Sequence, residues 1–186
     1  FGEFSPSGKL PVTFYQGTKN LPEFTDYDMS GRTYRYTDKN VLYPFGYGLH
    51  YGTVRYENAQ ISYAQCSVRD TVDVSVDVVN ESSYAIHESV QAYILHEDAD
   101  AYEPGYQLKG IRTVRLQSKE RKKVTMTLKV RDFAIITEDG DCVVRPGSYR
   151  IAIGGQQPDS RSAKLTGTSV ATMVVHREGV QAPVEY

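Results

Sequence analysis

Thr71-Val72-Asp73-Val74-Ser75-Val76-Asp77-Val78 sets every valine at an alternate position, with a polar side chain between each pair. Successive side chains of an extended chain point to opposite faces, so this period of two dictates a half-buried antiparallel strand with its valines inward. Comparable runs lie at Val54 to Tyr63, Ser89 to His96, Ile111 to Leu116, Lys123 to Val130, Tyr149 to Ile153 and Ser169 to Val175. With the first they make seven short strands separated by turns. That count and spacing predict an all-β fold, an immunoglobulin-like β-sandwich of about seven strands in two sheets. The turns agree. Glu138-Asp139-Gly140-Asp141 supplies residues that tolerate positive φ, and in Arg145-Pro146-Gly147 the proline fixes one φ while the glycine accepts the next.

The 186 residues suffice for one domain plus an appendage. Residues 1–52 differ in texture from the rest: Gly, Pro and Tyr punctuate short apolar runs, of which Leu10-Pro11-Val12-Thr13-Phe14 reads as a strand without an evident partner. The organisation expected is therefore an irregular segment over 1–52, the sandwich over 53–178 and a loose tail over 179–186. No long stretch carries a helical period. The 21 basic and 23 acidic residues nearly cancel, to a net charge of −2, so nucleic acid and anionic membranes are not expected partners. No run approaches the roughly 18 apolar residues of a membrane span. Phe1-Gly2-Glu3-Phe4 lacks the basic start and apolar stretch of a signal peptide and reads as the inside of a longer pattern. Cys66 and Cys142 stand apart with no metal-ligand spacing; idle thiols are the expected state and a disulfide is the alternative.

Two blocks are denser in aromatics, arginines and glycines than a solvated loop needs: Gly31-Arg32-Thr33-Tyr34-Arg35-Tyr36 and Leu42-Tyr43-Pro44-Phe45-Gly46-Tyr47-Gly48-Leu49-His50-Tyr51. Together they resemble the junction before the fibronectin type III-like domain of glycoside hydrolase family three, the β-glucosidase and β-xylosidase family. Pro6-Ser7-Gly8-Lys9-Leu10-Pro11-Val12-Thr13-Phe14 is similar to the segment that closes that family's α/β sandwich domain. Leu21-Pro22-Glu23-Phe24 and Asp26-Tyr27-Asp28-Met29 follow in order, then Val78-Val79-Asn80, Leu108-Lys109-Gly110-Ile111 and Val144-Arg145-Pro146-Gly147-Ser148-Tyr149 through Gly154-Gly155. Any one of these is weak; the ordered set is specific. Ile111, Ile153 and His50 depart from the usual residues in ways that read as packing substitutions.

The resemblance implies that residues 1–52 are the tail of the α/β domain and a tyrosine-rich connector, and that residues 53–178 are the fibronectin type III-like sandwich. It implies a retaining enzyme whose Asp nucleophile and acid/base residue lie upstream of Phe1, so the expected partners are upstream catalytic domains of the same polypeptide. On that reading this chain is a structural portion and catalyses nothing alone; no cofactor is expected. An independent carbohydrate-binding or adhesion module is the alternative. The residues themselves offer no better nucleophile. A retaining glycosidase needs two carboxyl groups about 5 Å apart; the close acidic groups Glu97/Asp98 with Asp100, and Glu138/Asp139 with Asp141, sit in polar turns, and Asp26 with Asp28, set among Tyr27, Met29 and Tyr34, reads as interface hydrogen bonding. His96 to Asp100 offers oxygens for calcium but lacks a glycine-bent loop of known spacing. His50, His87 and His176 show no triad arrangement, and Arg121-Lys122-Lys123 reads as a solvated strand edge. The loop from Asp98 to Gln107, with Tyr102 and Tyr106, reads as an ordinary sandwich loop. The candidate residues for a β-glycoside substrate or a domain interface are Asp26, Tyr27, Arg32, Tyr34, Arg35 and Tyr36, where guanidinium forks and phenol groups suit sugar hydroxyls or a polar interface.

Overall fold

The computed structural model describes residues 5–37, 39, 41–100 and 103–185; Phe1 to Phe4 and Tyr102, both invoked above, lie outside them. Thirteen strands occur in chain order among the described residues: β1 (Phe14–Tyr15), β2 (Val41–Tyr43), β3 (Val54–Ile61), β4 (Gln65–Ser67), β5 (Val72–Asn80), β6 (Ile86–His96), β7 (Gln107–Leu116), β8 (Arg121–Leu128), β9 (Ile135–Ile136), β10 (Cys142–Val144), β11 (Gly147–Gly154), β12 (Ala171–Glu178) and β13 (Ala182–Pro183). Two large sheets dominate, a three-stranded one ordered β3-β5-β8 and a five-stranded one ordered β4-β12-β11-β6-β7. All pairings in them are antiparallel except that of β4 with β12. Each of the seven runs of alternating sequence overlaps a strand of these two sheets, some running one or two residues past it.

One core joins the sheets. Val72, Val74, Val76 and Val78 of β5 share it with Val90, Ala92 and Ile94 of β6 and Ile151 and Ile153 of β11. Several of the motif residues have structural reasons to be where they are. Asn80 ends β5 fully buried, its amide donating to the Tyr84 and Gln117 carbonyls at 2.7 and 2.8 Å while its Oδ1 accepts from the Ser82 amide at 2.9 Å, so the buried side chain is satisfied by the main chain around it. Lys109 is the extra residue of a bulge in β7, since Ala92 opposes Gly110 while Tyr93 opposes Leu108. A Cβ on Gly110 would come within 2.8 Å of the Met126 sulfur.

Two expectations are corrected. The short strand near Phe14 does have a partner, because β1 pairs with β2 and Leu10 exchanges main-chain hydrogen bonds with Gly46 and Tyr47 at 2.8 Å. The tail is not loose: β13 pairs with β10, Ala182 is buried, and Val184 rests against the core. Two short helices occur, α1 (Thr33–Tyr36) and α2 (Ser160–Thr166). Asp159 caps α2 by accepting from the Ser162 amide at 2.8 Å, and Gly167 ends it in the left-handed region at φ 70°. Neither Cys66 nor Cys142 is in a disulfide.

The segment before residue 52 covers the outer face of the five-stranded sheet. On the face of β6 that does not enter the core, Ser89, Gln91 and Tyr93 at its centre are buried, with His87 and Leu95 half-buried at its ends. Ser89 donates to the Ser7 carbonyl at 2.9 Å, and the Gln91 amide donates to the carbonyls of Gly46 and Gly155 at 3.0 and 3.2 Å. The Tyr93 hydroxyl donates to Gln91 Oε1. Strand β6 is therefore buried on both faces.

Val76→Asp places an unpaired charge in this core and should lower unfolding free energy by about 3–5 kcal/mol, measured by denaturant titration; a neutral outcome would mean that the inward face of β5 is misassigned. Burial pushes the hydroxyls of Tyr56, Tyr93 and Tyr149 upward, Tyr149 to about 12 from an ordinary 10.0. Unfolding releases these phenols to ionise near their ordinary value, so the unfolded chain binds fewer protons above it. Stability should accordingly fall as pH rises from about 10 to 12, read as a drop in melting temperature together with a delayed phenolate absorbance for these tyrosines.

Candidate functional site

Asp26 and Asp28 start the connector's ordered loop. Asp26 Oδ1 accepts from the Asp28 amide at 2.9 Å and Asp28 Oδ1 from the Ser30 amide at 2.6 Å, two successive turns of the kind short acidic side chains favour. Arg32 closes the loop from the other side. Its Nε donates to the Asp28 carbonyl at 3.0 Å, and its Nη2 to the carbonyls of Glu23 and Asp26 at 3.0 and 2.6 Å. A guanidinium sets its donors on separate nitrogens in one rigid plane, so Nε and Nη2 reach carbonyls that stand apart around the loop, a geometry that a lysine ammonium, with all its donors on one atom, does not match. Gly31, at φ 72°, takes the backbone into Arg32 through the left-handed region.

The following residues face the sandwich. The Tyr34 ring stacks on Phe45, with centroids 3.9 Å apart and planes 9° from parallel, and meets Tyr93 edge-on at 6.4 Å. Its hydroxyl accepts from the Leu108 amide at 3.2 Å. The Arg35 carbonyl accepts from the Gly105 amide at 2.6 Å. The guanidinium of Arg35 lies 5.8 Å from the Tyr34 ring centre. Tyr36 lines open clefts on either side of α1, one of them a space of about 1110 Å³ shared with Tyr106, Gln157 and Asp159. The six candidate residues thus divide. Asp26 and Arg32 organise the loop, Tyr34, Arg35 and Tyr36 sit against the β6–β7 region, and Tyr27 stands away from both.

Tyr27 and its neighbour Phe24 are 92% and 95% exposed. Val12, Phe14, Leu21, Met29 and Tyr43 of the same segment are also substantially exposed. Exposed apolar residues scattered singly are ordinary, but this segment carries these seven between Val12 and Tyr43.

The other acidic groups are engaged locally. Glu97 pairs with Arg150, Asp100 with Arg145, and Asp98 accepts from the Ser148 amide at 3.2 Å. Glu103, which sequence reasoning did not single out, is buried between His96 Nδ1 at 3.1 Å and Arg145 at 2.9 Å. It anchors the loop that reaches Arg35, and no periodicity in the sequence signals it. Among the described residues no three His, Cys, Asp or Glu side chains are grouped to hold a metal.

Comparison with known proteins finds two matching families. Residues 1–51 match the glycosyl hydrolase family 3 C-terminal domain, and residues 88–157 match the fibronectin type III-like domain. A xylan 1,4-β-xylosidase of Xylanibacter ruminicola is 37% identical over 90% of this chain, which spans 19% of that enzyme's length. Solved structures of β-glucosidases from Erythrobacter marinus and Bifidobacterium adolescentis superpose with TM-scores of 0.77 at 30% identity. They cover 96% and 95% of this chain, which covers 22% and 27% of theirs.

Arg32→Ala should leave the melting temperature of the chain within a few degrees of the unsubstituted value. Residues 23–30 should then exchange their amides about tenfold faster, because only the local carbonyl anchor is lost. Arg32→Lys should not restore protection. Tyr34→Ala, by contrast, should cost about 2–3 kcal/mol of global stability through the lost stack and its burial. Denaturant titration and hydrogen exchange on the same samples separate these two behaviours, and a large global effect of Arg32→Ala would contradict the assignment.

Proposed function

Because the chain joins a family 3 glycosyl hydrolase C-terminal segment to a fibronectin type III-like domain and is related to that family's β-xylosidases and β-glucosidases, we propose that it is the structural C-terminal portion of a β-glycosidase acting on β-linked glucosides or xylosides. In this reading residues 53–178 form the immunoglobulin-type sandwich that buttresses the catalytic domains, and residues 1–52 are the end of the α/β domain and the connector. The nucleophile and the acid/base residue belong upstream. The observation that carries the reading is the two-sidedness of the connector. One side satisfies the polar groups of β6, whereas the other holds Phe24 and Tyr27 out in water on a loop fixed by Arg32 and two Asp turns. Such a surface suits the upstream domains of the same polypeptide, with Asp26, Tyr27 and Arg32 at the junction where a β-glycoside could approach. Arg32, its donors held by main-chain carbonyls, acts there as a positioning residue.

The isolated chain should not hydrolyse aryl β-glucosides or β-xylosides, since its carboxylates lie in turns and ion pairs. Turnover that persisted through further purification would overturn the proposal. The double substitution Phe24→Ser with Tyr27→Ser should leave the melting temperature of the isolated chain unchanged, both rings being exposed, and should lower both melting temperature and kcat/KM of the full-length parent. Equal destabilisation of the two forms would place those rings inside this chain's own packing instead.

A further inference from the structure

At the end of the sandwich where the connector meets β3, β6 and the chain after β11, a cavity of about 310 Å³ opens between elements that are otherwise tightly packed. That is the lower end of the roughly 300–1,000 Å³ range of small-molecule sites. Glu88 of β6 lines it with 2% of its surface exposed. One carboxylate oxygen is engaged twice, by the Lys9 ammonium at 3.1 Å and by the Tyr56 hydroxyl at 2.9 Å. The other, Oε2, is buried with no partner among the described residues. His50 Nδ1, in the same wall, is also buried and unpartnered. Tyr47, Thr168 and Ser169 also line it.

Leaving a buried carboxylate oxygen without a donor is costly, so a site of this kind is completed by something that donates. The charge arrangement says what. Lys9 already neutralises Glu88, which removes the drive for a cation, and a single carboxylate falls short of the oxygen set that calcium requires. An anion would meet the free carboxylate oxygen. What remains is a neutral molecule with several hydroxyl donors, small enough for the cavity and able to place one face against a phenol ring. Gly155 is part of the fit: a Cβ there would stand 2.7 Å from the Tyr56 hydroxyl and 2.8 Å from Glu88 Oε1. No local motif marks this site, because Lys9, His50, Glu88 and Thr168 are far apart along the chain.

We propose that this cavity is a binding site for a neutral polyhydroxylated small molecule of monosaccharide size, with Glu88 Oε2 and His50 Nδ1 taking its hydroxyl groups. It is separate from the Arg32 loop and does not depend on the catalytic role assigned to the parent. The experiment is amide NMR of the full chain titrated with xylose, with glucose and, as controls, with calcium chloride and sodium acetate. A site this small predicts millimolar affinity, a dissociation constant of about 1–10 mM. Shifts at Tyr56, Gly155 and Thr168 with either sugar are expected, weakened at least fivefold in Glu88→Gln and in His50→Ala. His50→Ala guards against misfolding of the first variant, since it removes a ring whose Nδ1 bonds nothing. Absence of shifts at these amides with both sugars, a response to calcium or acetate in place of the sugars, or full binding retained by both variants would each overturn the proposal.

Discussion

The double burial of β6 is the constraint on which the rest of this molecule depends. Val90, Ala92 and Ile94 contribute to the core between the sheets, whereas Ser89, Gln91 and Tyr93 on the other face are buried beneath the connector. A buried amide and two buried hydroxyls need partners, and the structure supplies them from main-chain carbonyls of Ser7, Gly46 and Gly155 and from within the set. The connector is consequently a cover for the sheet and not an appendage beside it. Its main-chain bonds between Leu10 and Gly46 or Tyr47, the β1–β2 ladder, and the grip of Arg161 on the Leu42 carbonyl all serve to hold that cover in place.

The same constraint explains what was legible in the sequence and what was not. The alternation at residues 71–78 was readable because β5 obeys a single rule, apolar inward and polar outward over most of its length. In β6 the identical pattern misleads: Ser89, Gln91 and Tyr93 read as a water-facing side, and nothing local reveals that residues some fifty to eighty positions earlier lie over it. The small sheet of β9, β10 and β13 was invisible because strands of two or three residues are too short to carry a period. Helix α2 was missed for a related reason. Seven residues cannot establish a helical stripe, although Asp159 before it and Gly167 after it are a start and a stop signal.

The site was half legible. Density of arginine and tyrosine identified the connector, yet residue type alone could not divide Arg32, which holds three carbonyls of its own loop, from Tyr34, which wedges between Phe45 and Tyr93. Main-chain acceptors leave no signature in a sequence. The buried Glu103 between His96 and Arg145 was unreadable on the same ground, since its partners lie on β6 and on the turn into β11.

Order on one side of the connector and exposure on the other are physically linked. A loop carrying Phe24 and Tyr27 would ordinarily fold its rings back onto the nearest apolar surface, because burying each removes a large apolar area from water. Here the backbone of residues 23–32 is already committed, its carbonyls to Arg32 and its amides to Asp26 and Asp28, so the rings cannot collapse without breaking that set. Short-range polar bonds thereby keep these apolar groups in water, and the residues that do so stand outside the core between the sheets.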